Sequence, residues 1–187
     1  MAKNAFKKKI NKLKSRTWFS IYYGIYQKSP INSNMVFLES RNGSDMAGNI
    51  LNIARELSEN PDYRHLKLCI PAKPHMVEKV KLLLDKYNIK NYKLLREESL
   101  KYYKYLSKSK YLVNDTSFPR RFIKKEGQVI LNTWHGTPLK NMGRDVENEV
   151  YNMGNVMRNL IFSDFLVFPN EYMKEKMVNA YMLKNLC

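Results

Sequence analysis

From residue 35 onward, short apolar runs alternate strictly with segments of helical period, and this pattern leaves few folds open. The runs Met35–Ser40, Leu66–Ile70, Tyr111–Asn114, Val129–Thr133 and Phe165–Phe168 are short and apolar, as strands buried on both faces of a parallel sheet are. Between them, Ala47–Ser58, His75–Tyr87, Ser99–Leu106, Val146–Ile161 and Glu171–Met182 space their apolar residues as helices do. A weaker strand falls at Tyr92–Leu95. Strands that alternate with helices build βαβ units, so the expected fold is α/β: a doubly wound, Rossmann-like parallel sheet. A length of 187 residues suits one such domain with a short extension. Residues 29–187 contain no internal repeat and no low-complexity linker, and are expected to form that domain.

Polar residues gather where the strands end. The turns 39–45, 114–117, 134–138 and 169–171 each follow a strand, and a parallel sheet brings such turns to its carboxyl edge, where α/β proteins bind ligands. The richest is Leu131-Asn132-Thr133-Trp134-His135-Gly136-Thr137-Pro138-Leu139-Lys140. A strand delivers His135 to the edge, Gly136 permits close approach, and Thr137 with Pro138 fits the cap and first turn of a helix. Such a helix start would attract phosphate, with Lys140 and Arg144 adding charge, and His135 beside it could act as a general base. The plainer reading is a histidine that only hydrogen-bonds its own turn.

The charge is unevenly spread. Lys and Arg number 33 against 17 Asp and Glu, and residues 1–28 hold eight of the cations and no acid. Within that arm, Lys7, Lys8, Lys9, Lys12, Lys14 and Arg16 surround Phe6, Ile10, Leu13, Thr17 and Ile21 at helical spacing, with Trp18 following. The pattern fits a basic amphipathic helix on an anionic membrane surface, and Trp suits the headgroup boundary. A helix packed on the body and a nucleic-acid arm are the alternatives. No nucleic-acid-binding module is recognisable, and a nucleic-acid partner is not expected. No apolar stretch approaches the roughly 20 residues of a spanning helix, and no signal-peptide core is seen. Two cysteines without metal-ligand spacing point to a reduced cytosolic protein with no metal and no cofactor.

Trp134-His135-Gly136-Thr137-Pro138-Leu139-Lys140, with Gly143-Arg144-Asp145 close behind, resembles the signature of the CDP-glycerol glycerophosphotransferases that prime and polymerise teichoic acids. Tyr111-Leu112-Val113-Asn114-Asp115, Phe118-Pro119-Arg120-Arg121-Phe122 and Phe168-Pro169-Asn170-Glu171-Tyr172 resemble the same family's N-terminal half. More loosely, so do Leu38-Glu39-Ser40 and the turn Gly43-Ser44-Asp45. The resemblance implies one half of a glycosyltransferase-B-type enzyme, peripheral to the cytoplasmic face of a bacterial membrane. In that family the hydroxyl of a lipid-linked polyol-phosphate acceptor attacks the β-phosphorus of CDP-glycerol and CMP leaves. His135 matches the family's base, and Gly136, Thr137, Lys140, Arg144, Asn114 and Asn170 are the expected substrate contacts. The donor-binding half, which would hold CDP-glycerol, should follow the N-terminal half, and this chain stops at Cys187. A catalytically silent membrane- or partner-binding module is the competing expectation.

Other segments carry less. Gly43–Gly48 matches neither a dinucleotide fingerprint nor a P-loop, and reads as a plain βα turn or an acceptor contact. Asp115 either orients a base or, as the simpler reading, caps a helix. Arg120, Arg121, Lys124 and Lys125 either draw in a polyphosphate or are ordinary solvated charge.

Overall fold

The computed structural model describes residues 20–26, 28–147 and 153–184. Among the described residues six strands form one sheet: β1 (Asn32–Glu39), β2 (Lys67–Ala72), β3 (Tyr92–Arg96), β4 (Ser109–Asn114), β5 (Val129–Asn132) and β6 (Phe165–Leu166). Every pairing is parallel and the order is β3-β2-β1-β4-β5-β6, the doubly wound arrangement. The helices that follow β1 are α1 (Gly48–Glu59), α2 (Val77–Lys86), α3 (Leu100–Lys108), α4 (Gly154–Phe162) and α5 (Glu171–Ala180).

Alternation along the strands divides the core. Val36, Leu38, Leu68 and Ile70 face one side and pack with Ile50, Ala54, Val80 and Leu84 of α1 and α2. Met35, Phe37, Cys69, Leu112 and Ile130 face the other, against Tyr102, Tyr103 and Leu106 of α3 and the loop aromatics Phe118 and Phe122. Period-two side chains buried on both faces make each strand an apolar run, which is why the strands are legible in the sequence. A third cluster joins Trp134 to Leu160 of α4 and Met173, Met177 and Ala180 of α5.

Three expectations need adjustment. Strand β1 begins at the polar Asn32, because Asn32 pairs with Ser109 through its backbone whatever its side chain. The helix expected over Val146–Ile161 runs over Gly154–Phe162: Val146 is extended, and residues 148–152 lie outside the described residues. No helix starts at Thr137. Residues 133–142 are irregular, Met142 is extended, and a single 3-10 turn follows at Gly143–Asp145. A helix there would have no apolar face to bury, since Leu139 is 94% exposed, and short helices without such packing are not stable.

The arm residues Lys7, Lys8, Lys9, Lys12, Lys14, Arg16 and Trp18 lie outside the described residues. The end of the arm, residues 20–26, is helical and packs on the body. Tyr22 is buried with its ring 4.8 Å from that of Tyr103, and the Tyr26 hydroxyl donates to the Lys124 carbonyl. No described helix is long and apolar enough to cross a membrane.

Candidate active site

In this strand order β1 and β4 are neighbours whose connections depart in opposite directions, and the crevice beyond their carboxyl ends is where such sheets bind ligands. A cleft of about 460 Å3 opens there, lined by Arg41 from the turn after β1, Gly48 and Asn49 at the start of α1, Asp115 after β4, and Thr133 to Thr137 after β5, with Pro169 and Met173 beside them.

His135 reaches this cleft through a bent piece of backbone. Thr133 still donates its N–H to the Asn114 carbonyl, extending the ladder by one residue, and then Trp134 turns left-handed with φ of 52°. That region is costly for a bulky side chain. Burial of the indole at 7% exposure and its stacking under the imidazole, centroids 4.6 Å apart, offset the strain. The imidazole Nδ1 lies 2.7 Å from the Asp115 carbonyl oxygen. A carbonyl can only accept, so Nδ1 carries the proton and the neutral ring keeps its lone pair on Nε2. This is the tautomer a general base requires, and it is set by the main chain of the neighbouring strand.

Asp115 works from both ends. Its carboxylate accepts from the Ser40 hydroxyl at 3.0 Å and the Arg41 N–H at 2.7 Å, while its carbonyl holds His135. Burial raises its carboxyl above the usual aspartate range, opposed by those two donors and by the nearby imidazole. The expected helix cap is therefore a cross-strand clamp. Thr116 adds a 2.6 Å bond to the Asn42 side chain, and Arg41 and Asn42 both have positive φ. Arg41 and the uncapped start of α1, whose preceding residue Ala47 offers no side-chain acceptor, make the cleft favourable to an anion.

Of the expected contact residues, Gly136 and Thr137 line the cleft. Asn114 is buried behind it, bonded to Asn132, and Asn170 caps α5 by accepting from the Met173 N–H at 2.8 Å. Lys140 lines a separate surface groove with Tyr172 and Lys176, and Arg144 is half-exposed beside Asp145. Without a helix start at Thr137, neither cation is drawn to the cleft. Among the expected peripheral cations, Lys124 pairs with Asp164 and Lys125 donates to the Ser29 carbonyl, so both are structural. Sequence reading missed Arg41, Asn49 and Asn132. Arg41 had a signal in the polar turn after β1, whereas the other two carried none.

A doubly wound parallel sheet with a histidine at its switch-point cleft defines a Rossmann-like α/β domain. The sequence profile of the CDP-glycerol:poly(glycerophosphate) glycerophosphotransferases matches residues 21–186, and the chain belongs to this family. The teichoic acid poly(glycerol phosphate) polymerase of Bacillus spizizenii is 30% identical over 89% of this chain and 42% of its own length. The teichoic acid glycerol-phosphate transferase of Staphylococcus aureus is 27% identical over 97% of this chain and 44% of its own. Among solved structures, the wall teichoic acid polymerase TagF superposes with a TM-score of 0.73 at 21% identity, covering 96% of this chain and 44% of that one. A TagF variant soaked with CDPG gives 0.70 at 20% identity, over 97% and 46%. The chain thus spans less than half the length of these relatives.

Proposed function

We propose that this chain is the acceptor-side half of a glycerophosphotransferase and that His135 is its general base. The hydroxyl of a lipid-linked polyol-phosphate acceptor enters the cleft and its oxygen attacks the β-phosphorus of CDP-glycerol. The phosphorus–oxygen bond to CMP breaks, CMP leaves, and the hydroxyl proton passes to Nε2 of His135. CDP-glycerol is held by a separate donor-binding half that faces this cleft. The observation that carries the reading is the bond from Nδ1–H to the Asp115 carbonyl, which leaves Nε2 as the free acceptor in a cleft that also holds Arg41. In-line phosphoryl transfer relies on positioning and charge stabilisation, so a fixed base and a positive cleft are the parts the reaction needs from this side.

The test is turnover in an enzyme completed by its donor half. His135→Ala is expected to lower kcat by about 10²–10⁴-fold while CDP-glycerol affinity stays nearly unchanged. Turnover near wild type would leave His135 a turn residue only. The arm is assigned to the anionic cytoplasmic membrane surface on its run of cations around Trp18. Binding to anionic vesicles should weaken with salt and be largely lost on deletion of residues 1–28, and equal binding by the shortened chain would overturn that assignment.

A further inference from the structure

Asn132, the last residue of β5, has its whole amide engaged inside the fold at 1% exposure. Its Oδ1 accepts the Trp134 N–H at 2.8 Å, closing a turn of side chain on backbone two residues ahead. Its Nδ2 donates to Asn114 Oδ1 at 2.9 Å and to the Thr116 carbonyl at 2.8 Å. The one amide therefore ties the left-handed Trp134 to β4 and to the segment after it, which also carries the Asp115 carbonyl that holds His135.

We propose that Asn132 is the positioning residue for His135: its side chain holds Trp134 in the left-handed turn that swings the imidazole onto the Asp115 carbonyl and so fixes the ring with Nε2 free. This rests on the reading of His135 as the base. The energetic argument is local. The turn places a bulky residue in a strained, left-handed region, and the Trp134 N–H is buried with Asn132 Oδ1 as its acceptor. Removing that acceptor orphans the N–H, and extended backbone at Trp134 becomes the better state, which carries His135 away from Asp115.

Asn114 supplies an internal control. It is 1% exposed, and its Nδ2 has no partner among the described residues. In Asn132→Asp the carboxylate still accepts from Trp134 and a turned-over Asn114 amide can donate to it, while the bond to the Thr116 carbonyl is lost. In Asn132→Leu, of similar size, all three bonds vanish.

The experiment is nitrogen-15 NMR of the His135 ring in the full chain at about pH 8, above the ordinary histidine range, with folding checked by amide dispersion. Wild type is expected to show the Nδ1–H tautomer in majority. Asn132→Leu should lose that majority in favour of the Nε2–H form that free histidine prefers, and Asn132→Asp should keep it. A folded Asn132→Leu chain with the wild-type tautomer overturns the proposal, as does an Asn132→Asp chain that behaves like it. If Asn132→Leu does not fold, Asn132→Ala decides, because it too offers the Trp134 N–H no acceptor and adds no bulk; an unshifted tautomer there also overturns it. Turnover of His135→Ala tests the base alone and the ring tautomer tests the positioning alone, so the two readings fail separately.

Discussion

The two sides of the cleft are built differently. On the side of β1 and β4, the turns are locked to each other: the Asp115 carboxylate takes the Ser40 hydroxyl and the Arg41 N–H, and Thr116 bonds Asn42. On the side beyond His135, Gly136 to Lys140 runs free of regular structure, with Leu139 almost fully exposed, until the chain is anchored again at Gly143. That anchor needs a glycine, because φ is 56° and a Cβ would collide with the Ala180 carbonyl. The contrast teaches that this domain holds the His135 ring rigidly and leaves the face beyond it open.

The comparison breaks most easily at Asp115. Asp115→Ala removes the acceptor of two donors at the locked side, and each orphaned donor costs roughly 1–3 kcal/mol; urea unfolding should show a loss on that scale. A loss below about 0.5 kcal/mol would mean that the turns hold without their clamp. Glu39, at the end of β1, tests the same side through pH. It is wholly buried, receives the Tyr102 hydroxyl, and burial raises its carboxyl from 4.5 to about 8, with further upward pressure from Glu97 and Asp115. The folded chain therefore holds a proton that the unfolded chain releases near pH 4.5, so Glu39's contribution to stability is full below that value and is lost as pH rises through about 8. Thermal midpoints should decline across this window, and Glu39→Gln, which keeps an acceptor for Tyr102, should flatten the decline. An identical slope in the variant would remove Glu39 from the account. The smallest effect belongs to the open side. Lys140→Ala should change stability by less than about 0.5 kcal/mol and lower turnover of the completed enzyme far less than His135→Ala does. A comparable loss would place Lys140 at the reacting phosphate.

The locked side is also the side whose architecture the sequence displays. Buried parallel strands appear as apolar runs because both of their faces are covered, so β1, β2, β4 and β5 can be read within a few residues. His135 at a strand end follows from the polar residues after Val129–Asn132. What escaped reading depends on contacts distant in sequence or on backbone with no periodic signature. Asp115 orients His135 through a main-chain carbonyl, an atom every residue possesses, so no residue type could announce it. Thr137-Pro138 fits the chemistry of a helix start, yet Leu139 finds nothing to pack against and the helix does not form. Asn132 reads as an ordinary strand residue until β4 is beside it, because only the pairing of Asn114 with Asn132 brings the two amides together.

The strand order has a consequence for how the chain acquires its shape. Strand β1 is made first and ends in the middle of the sheet, between β2 and β4. Its apolar residues Val36 to Leu38 find Leu68 and Cys69 early, but their other neighbours, Tyr111 to Val113, are synthesised only after α1, α2, β3 and α3 have all emerged. Until then one edge of an apolar strand stays open, and closing it spends the entropy of a long intervening loop. The clamp at Asp115 forms in that same closing step, so this side of the cleft takes shape only when the strand pairing most distant in sequence is made, and a chain stalled before it is exposed to edge-to-edge aggregation.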